Sequence, residues 1–436
     1  MAGQASVRHE RQAQACGIGL AGRVTTSVLV FSTLYPNAGQ PNHGIFVENR
    51  LRHTLALGGL CATVLAPRPW FFSGHPRFGR YAAFARIPAH ETRHGLDVHH
   101  PPYLVLPRLS AITPWLLYRA ALHAVRKLMR AGQRFDVIDA HYFYPDGVAA
   151  ALLGRTLGLP VVITGRGTDL TLIPHSALAR RQIQWAAGQA SAMITVCEDL
   201  RQRLVALGAA PERTIVLRNG VDLDRFSPAG APPRNERVAL LSVGSLIPRK
   251  GHELVIGALP GLADCDLTIA GSGPLRAELE ALAHRLGVAG RVRFLGEVPH
   301  ADLPGLYQAA DMLVLASQRE GWANVLLEAM ACGTPVVATN VNGSAEAVCS
   351  PAAGLLAGER SIAGIRDAIL ALSRAMPPRD DTRRHACRFS WFETARANRD
   401  LLIAAAAAGR AGRHSPAAAQ AARASLMKAV LVPTPV

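Results

Sequence analysis

The sequence predicts an α/β protein of two doubly wound, Rossmann-like domains that face each other across a cleft. Three observations carry this prediction: β-branched apolar runs alternate with segments of helical period, a Pro- and Gly-rich stretch at 224–236 interrupts them, and the alternation restarts at Val238. We therefore assign the domains to residues 24–229 and 237–403. Ligands of such sheets bind beyond the carboxyl ends of the strands, so candidate site residues are sought there.

Length and composition are those of a globular protein with two or three domains. The 436 residues are 49% hydrophobic and 18% charged, and the formal net charge is +16 with a pI near 10.4. An excess of Lys and Arg attracts phosphorylated substrates, anionic lipid head groups or nucleic acid. The arginines are scattered rather than gathered in an aromatic-interleaved tract, which disfavours nucleic acid.

The cysteines and the apolar runs bear on the compartment. Seven cysteines are widely spaced without a CxxC pair, which predicts free thiols in a reducing compartment and argues against zinc. No apolar run approaches the roughly 18 residues of a membrane span, and the N-terminus lacks a signal-like core. We expect a cytoplasmic protein, with an anionic surface at the inner face of the membrane as a candidate partner.

The chain opens and closes with segments that we expect to be flexible, residues 1–23 and 409–436. The run Gly17–Gly22 spells GxGxxG, but a strand follows it instead of preceding it. A dinucleotide fingerprint needs the reverse order, so we do not interpret it as one.

The first half begins with a βαβ unit. The β-branched run at 25–33 predicts a buried strand, and the loop after it ends at Gly44, where backbone N–H groups can approach a ligand; ordinary turn chemistry is the alternative. Residues 67–110 predict a long loop region with short strands. Apolar runs predict further strands at 61–66, 135–140, 160–164, 192–196 and 214–217, and helical periodicity predicts helices at 45–57, 114–131, 149–157, 176–190 and 198–207.

Three polar residues follow strands of this half. His141 comes directly after one predicted strand, and Arg166 and Asp169 come after the next, in GRGTDLT. Because the carboxyl ends of parallel strands meet at one edge of the sheet, we expect these side chains on the cleft side, together with Gly44.

The second half repeats the alternation. Its loops place Arg249 and Lys250 before a helix, and Gly271 and Gly273 after a strand. Predicted strands lie at 238–244, 266–270, 292–294 and 312–315, and predicted helices at 252–258, 275–286, 302–309, 362–375 and 391–408.

The stretch REGWANVLLEAMACGTPVVAT, residues 319–339, predicts a loop, a helix, a tight turn and a strand. Glu320 lies in the loop, Asn324 leads the helix, Glu328 lies on it, and Gly333 suits its left-handed end. The two carboxylates can therefore contact one ligand at different heights. Two solvated helix-end carboxylates are the alternative.

Together these residues describe a nucleotide-sugar site. Cations and a helix N-terminus suit a diphosphate, and a helix-borne carboxylate suits the vicinal hydroxyls of a ribose. The candidate donor-binding residues are Arg249, Lys250, Gly271, Gly273, Glu320, Gly321, Asn324 and Glu328.

The motifs VGSLIPRKG, AGSGP, REGWANVLLEAMACGTPVVAT and NGSAEAV resemble those of the retaining family 4 glycosyltransferases, which have the GT-B fold. DAHYFYPDG, TGRGTDLT and RNGVD resemble the first domain of bacterial members that build extracellular polysaccharides. The resemblance runs from about Val24 to Leu401.

The resemblance implies a role for each charged residue. Glu328 would hold the donor ribose, Lys250 the diphosphate, and Glu320 would lie beside the transferred sugar, which His141 would contact from the other domain. These last three are the catalytic candidates. The final helices would cross back onto the first domain.

One departure concerns the phosphate loop. Many relatives have Gly-Arg where this chain has Gly244-Ser245, and Arg249 is the candidate to supply the charge.

The implied reaction retains the anomeric configuration, and the leaving diphosphate takes the acceptor proton. The sequence shows no DxD-type metal cluster beside the phosphate loop, so Lys and Arg would replace Mg²⁺, and no cofactor is expected. The acceptor would be a glycan or a lipid-linked hydroxyl. The alternatives are a nucleotide-sugar 2-epimerase and a non-catalytic binding subunit of the same fold.

Overall fold

The computed structural model describes residues 25–106, 109–228 and 237–412. Contacts divide them into two compact units. The first consists of the chain up to Val196, of 200–217 and of the stretch from Phe392 onward, and the second consists of 197–199 and 218–391. The predictions for residues 1–23, for the GxGxxG run and for most of the linker fall outside the described residues.

The first unit is built on an eight-stranded sheet with the strand order β10-β9-β8-β7-β1-β2-β5-β4, in which only β4 is antiparallel to its neighbour. A separate two-stranded sheet pairs β3 with β6. The strands are β1 Thr26–Phe31, β2 Leu60–Leu65, β3 Arg68–Pro69, β4 His90–Arg93, β5 Leu96–His99, β6 Pro102–Tyr103, β7 Val137–His141, β8 Val161–Gly165, β9 Ala192–Thr195 and β10 Thr214–Val216.

The described part of 67–110 contains the predicted short strands and, in addition, a helix. It supplies β4 and β5, which extend the large sheet, and a helix at Arg80–Arg86. HETR is polar throughout and LDVH alternates apolar and polar residues, because one face of this sheet edge is open to solvent, so no apolar run marks them.

Helices cover the first sheet, whose central strands are apolar because they are buried on both faces. The helices are α1 Ile45–Ala56, α2 Arg80–Arg86, α3 Thr113–Arg130, α4 Val148–Leu157, α5 Thr168–Thr171, α6 Ala177–Gln189, α7 Glu198–Ala206 and, at the end of the chain, α15 Trp391–Gly412. Helix α15 includes 409–412, so the prediction of flexibility from residue 409 is wrong for these four residues. Its Leu401, Leu402 and Ala405 belong to one buried cluster with Val28 of β1.

The second unit is a six-stranded parallel sheet with the order β13-β12-β11-β14-β15-β16. Its strands are β11 Val238–Val243, β12 Cys265–Ala270, β13 Val292–Gly296, β14 Met312–Leu315, β15 Val336–Thr339 and β16 Gly354–Ala357. Its helices are α8 His252–Ala258, α9 Arg276–Arg285, α10 Leu303–Ala309, α11 Asn324–Ala331, α12 Gly343–Ala347, α13 Ile362–Arg374 and α14 Arg379–Cys387. The prediction of two doubly wound sheets is confirmed, whereas β16, α12 and α14 were not predicted.

The border between the units differs from the predicted one at 229–237. Residues from Arg218 onward cluster with the second unit, where Arg218 Nε lies 2.8 Å from Glu346 and Asn219 donates to Asn324 at 3.1 Å. These polar anchors precede the Pro-rich stretch, which is why composition alone placed the border too late.

The sequence analysis predicted that the cysteines are free thiols, and this prediction is wrong for one of them. Cys61 is disulfide-bonded, whereas Cys197, Cys265, Cys332, Cys349 and Cys387 are free. Within the described ranges, no helix is both long and apolar enough to cross a membrane.

Candidate functional site

The order of the second sheet reverses between β11 and β14, which pair side by side. In open α/β sheets the ligand crevice lies at this reversal, beyond the carboxyl ends of the strands. The loop after β11 carries Arg249 and Lys250, and the loop after β14 carries Glu320. The two loops are joined directly, because Gln318 N–H donates to the carbonyl of Arg249 at 2.8 Å.

Glu320 is the charged centre of this crevice. Lys250 Nζ lies 2.6 Å from Glu320 Oε1, and Arg249 Nη1 lies 3.5 Å from Oε2. Ser317 Oγ also donates to Oε1, at 2.7 Å. Burial alone would raise the pKa of Glu320, but the ammonium of Lys250, followed by Arg249 and Ser317, lowers it, so the carboxylate is charged.

Asn342 supports the same loop from the residues after β15. Its Oδ1 accepts from Glu320 N–H at 3.2 Å, and its Nδ2 donates to Asp199 at 2.7 Å. The sequence analysis did not identify Ser317 or Asn342, since each is a common polar residue without a distinctive pattern. Both hold the backbone and carboxylate of Glu320 in place.

Glycines let the loops after β11 and β12 touch through their backbones. A Cβ on Gly271, whose φ is +153°, would lie 1.9 Å from the carbonyl oxygen of Gly244, and a Cβ on Gly273 would lie 2.5 Å from that of Leu246. The predicted importance of both glycines therefore has a steric basis: they allow the loops after β11 and β12 to approach each other.

Under the same loop lies a residue that the sequence analysis missed, His252. It is buried and its Nδ1 lies 3.0 Å from Ser242 Oγ. Burial and, next, the charge of Lys250 lower the pKa of His252 to about 4, so it is neutral beside the cations.

Glu328 faces the interior on α11, with both carboxylate oxygens engaged. Tyr307 O–H donates to Oε2 at 2.8 Å, and His300 Nε2 donates to Oε1 at 3.0 Å. Because a carboxylate only accepts, His300 carries its proton on Nε2, and its Nδ1 accepts from Arg225 at 3.2 Å. The helical period predicted the position of Glu328 but could not identify these partners, which lie in a loop and another helix.

The remaining donor-side candidates shape the start of α11. Asn324 Oδ1 accepts from Asn219, and the indole N–H of Trp322 donates to the carbonyl of Asn219 at 3.1 Å. The carbonyl oxygen of Gly321 packs closely against Gly343, since a Cβ added to Gly343 would lie only 2.4 Å from it. Gly321 and Asn324 thus take part in holding the loop that carries Glu320.

In the first unit the sheet order reverses between β1 and β7, and three of the predicted residues lie near this point. His141 is the last residue of β7 and is fully buried. Its Nδ1 accepts from Arg166 at 2.8 Å and its Nε2 lies 3.5 Å from Asp139. Burial lowers the pKa of His141, so it is neutral with both nitrogens engaged.

Asp169 follows β8, as predicted. It is fully buried, and its carboxylate accepts backbone N–H groups of Phe143, Arg166 and Gly167 at 2.7–3.1 Å in the shortest contact to each. The side chain therefore fixes the loop after β8.

Gly44 is required by the backbone at this edge. Its φ is +68°, and a Cβ would lie 2.3 Å from the carbonyl oxygen of Leu34. Across the reversal point, the buried Asp146 accepts from the N–H of Thr33 at 2.7 Å and from its hydroxyl at 2.9 Å. Gly44 and Asp146 thus both hold the loop after β1.

Asp146 gives a pH-dependent prediction. Burial raises its pKa from 3.8 to about 7, so the folded state holds a proton that the unfolded state releases between these values. The contribution of Asp146 to stability is then largest at low pH and falls by about 1.4 kcal/mol per pH unit as pH rises through this window. Asp146→Asn, which stays neutral, should gain thermal stability over the wild type between pH 5 and 8 in calorimetry.

The matched control is Asp367→Asn, because Asp367 is exposed. It should follow the wild-type pH profile. Parallel profiles for Asp146→Asn and the wild type would contradict the raised pKa of Asp146.

Among the residues described, no group of three or more His, Cys, Asp or Glu side chains could hold a metal ion. The charged groups at the reversal point of the second sheet are Lys250 and Arg249, which both form ion pairs with Glu320.

Two family models match the chain. The model described as "Glycosyl transferases group 1" matches residues 225–387, and the one described as "Glycosyltransferase Family 4" matches residues 81–225.

Two relatives extend this likeness. A putative teichuronic acid biosynthesis glycosyltransferase of Bacillus subtilis is 30% identical over 332 residues, which cover 72% of this chain and 81% of the relative. D-inositol 3-phosphate glycosyltransferase 1 of Catenulispora acidiphila is 31% identical over 351 residues, covering 72% and 82%.

Solved structures share the fold. A sucrose-phosphate synthase of Thermosynechococcus elongatus superposes with a TM-score of 0.70 at 20% identity, covering 87% of this chain and 100% of that one. The Anabaena HepE protein in complex with UDP and glucose gives a TM-score of 0.65 at 20% identity, covering 87% and 99%. The predicted GT-B fold is confirmed by these likenesses.

Proposed function

The chain belongs to the family 4 glycosyltransferases, which move a sugar from a nucleotide sugar to an acceptor, and from this premise we propose that it retains the anomeric configuration without a metal ion. The observation that carries the proposal is the cluster of Lys250, Arg249 and Glu320 at the reversal point of the second sheet. Two cations at a crevice made for anionic ligands suit a diphosphate leaving group.

The proposed step breaks the bond between the anomeric carbon and the diphosphate oxygen. The acceptor oxygen bonds to the same face of that carbon, and the leaving phosphate takes the acceptor proton. Lys250 stabilises the charge that grows on the diphosphate, with Arg249 in place of the arginine that many relatives have at Ser245. Glu320 lies beside the sugar, and Glu328 holds the ribose.

A role for His141 in contacting the donor sugar fits less simply. Both of its nitrogens are engaged, by Arg166 and Asp139. Contact with a sugar hydroxyl would require one of these partners to be replaced.

The acceptor that we propose is a glycan or a lipid-linked hydroxyl in polysaccharide or glycolipid assembly. The Bacillus subtilis relative, whose name refers to teichuronic acid biosynthesis, supports this choice. The net charge of +16 supports a peripheral location at the anionic inner face of the membrane.

A donor screen tests the proposal. The protein is incubated with UDP- and GDP-sugars, and nucleotide release is followed with and without a lipid-linked acceptor. One donor should release nucleotide faster when the acceptor is present, and the product should keep the anomeric configuration of the donor. Conversion of the donor to its 2-epimer without transfer, or no turnover of any donor, would contradict it.

Metal independence gives a separate prediction. If Lys250 and Arg249 neutralise the diphosphate, a chelator should change turnover by less than about twofold, since the cations of the protein supply the electrostatic stabilisation. The measurement is the initial rate with EDTA, with added Mg²⁺ or Mn²⁺ in parallel. A large loss that either ion restores would contradict the prediction.

Glu328→Gln should separate binding from chemistry. A glutamine would turn its NH₂ toward His300 or Tyr307, both of which donate to this side chain, so the ribose contact would be disturbed. Because the nucleoside is far from the breaking bond, donor KM should rise about tenfold while kcat changes less than about threefold. Glu280→Gln, on the exposed side of α9, is the control and should match the wild type in both constants.

A further inference from the structure

Exposed apolar side chains gather in one part of the first unit. Of the sixteen large apolar side chains that are exposed among the described residues, nine lie between Trp70 and Trp115. They are Trp70, Phe72, Tyr81, Leu104, Val105, Leu106, Leu109, Ile112 and Trp115, and we call them the apolar patch. Such a concentration marks an interaction surface.

The small sheet brings the two halves of the apolar patch together. Trp70 follows β3 and Leu104 follows β6, and these strands are parallel neighbours. The N–H of Trp70 donates to the carbonyl of Tyr103 at 2.7 Å, so the two segments leave the sheet side by side. Trp70 is 52% exposed and Phe72 is 63% exposed at this end.

Ring contacts hold the first half of the patch in place. Phe71 stacks on Tyr81 at 5.6 Å between centroids, and Phe72 meets Phe78 edge to face at 5.0 Å. The guanidinium of Arg77 lies 4.7 Å from the centre of the Phe78 ring. These contacts fix the positions of the exposed aromatic rings next to the guanidinium of Arg77.

Helix α3 continues the patch with positive charge. Trp115, Arg119, Arg126 and Arg130 are exposed and share one helical face, since they are spaced by four, seven and four residues. Arg119 lies 5.2 Å above the Trp115 ring. The opposite face, with Leu117, is fully buried.

The charge of the residues around the apolar patch indicates what kind of partner it binds. Residues 67–134 contain ten arginines and Lys127 but only Glu91 and Asp97 as acids. Each acid has a histidine partner, since His100 lies 2.9 Å from Glu91 and His90 lies 3.3 Å from Asp97. A partner that complements both the arginines and the apolar patch has an anionic surface layer with an apolar layer beneath it.

We propose that the apolar patch and the exposed arginines of α3 dock on an anionic phospholipid bilayer, with the aromatic residues at the level of the head groups. Tryptophan and tyrosine favour that interface, and basic side chains on the same face are attracted by anionic lipid. The inference rests on the proposed function in one respect, because a lipid-linked acceptor gives membrane contact its use.

The test is sedimentation of the full chain with vesicles of phosphatidylglycerol and phosphatidylcholine, and of phosphatidylcholine alone. The wild type should bind the anionic vesicles, and binding should weaken with salt. Arg119→Gln/Arg126→Gln/Arg130→Gln should bind about a hundredfold more weakly at low salt, since each cation near the surface contributes about fivefold. Trp70→Ser/Phe72→Ser/Trp115→Ser should lose the binding that persists at high salt.

The matched controls change equally exposed residues outside the patch and should bind as the wild type does. They are Leu178→Ser/Ile362→Ser/Phe392→Ser for the apolar set and Arg285→Gln/Arg374→Gln/Arg388→Gln for the cationic set. Wild-type binding by both patch variants, or equal binding to neutral vesicles, would overturn the proposal. So would a dimer that the Trp and Phe substitutions convert to a monomer without any effect on vesicles.

Donor binding in solution, measured by calorimetry on the same preparations, separates this inference from the proposed function. It should be unchanged in all patch variants, since none of the substituted residues belongs to the site. A wild type that binds vesicles and no nucleotide sugar would contradict the proposed function alone. One that binds a nucleotide sugar and no vesicles would overturn the membrane proposal alone.

Discussion

Lys250→Ala is expected to lower kcat by about a hundred- to a thousandfold, or about 2.7–4 kcal/mol of transition-state stabilisation. The reason is that Lys250 carries its ammonium on the loop after β11, where the proposed diphosphate gains charge as the sugar leaves. Arg249 remains, so binding of the nucleoside diphosphate should weaken less than turnover does. The measurements are steady-state kinetics and titration calorimetry with the donor found in the screen.

The control for this substitution is Lys127→Ala, because Lys127 is an exposed lysine of α3 in the other unit. With a water-soluble acceptor it should turn over like the wild type. A Lys250→Ala protein with wild-type kcat and a purely raised KM would show that Lys250 binds ground state and transition state equally.

Glu320→Gln should lower kcat at least about tenfold, which corresponds to about 1.4 kcal/mol, while nucleoside diphosphate binding stays within about threefold. The substitution removes the charge that both Lys250 and Arg249 contact, yet it leaves an oxygen to accept from Ser317. Loss of this charge should release Lys250 from its fixed position and remove the negative charge beside the sugar. Steady-state kinetics and binding titrations measure the two effects.

The double variant Lys250→Ala/Glu320→Gln distinguishes a shared role from two separate ones. If the ion pair acts as a unit, the double variant should lose much less than the product of the two single losses. If Glu320→Gln abolished nucleotide binding while Glu328→Gln left it untouched, the roles assigned to the two carboxylates would be exchanged.

The sequence predicted strands β11 to β15 of the second unit, with the loops and helices between them, because these elements carry a strong local signal. Val238–Val243 is an apolar run, and Gly333 ends α11 with φ +79°, as expected for a left-handed C-terminal residue. These features depend on residues that are close in the chain. The prediction that Glu320 and Lys250 lie in loops after strands of one sheet followed from that alternation.

Contacts between distant residues could not be predicted in this way. Glu328 meets His300 and Tyr307, which lie 28 and 21 residues away, and no periodicity relates a loop histidine to a helix carboxylate. The four-residue strand at Gly354–Ala357 is too short to show a period. The position of Asp169 along the chain likewise does not reveal that its carboxylate accepts backbone N–H groups of its own loop.

The last helix imposes an order on the synthesis of this protein. Its Leu401, Leu402, Ala405 and Ala406 complete a buried cluster with β1, from which residues 218–391 separate them along the chain. A chain emerging from the ribosome must therefore release all of residues 218–391 before this cluster can be completed. Until then an apolar surface of the first unit stays open to chaperones and to other nascent chains.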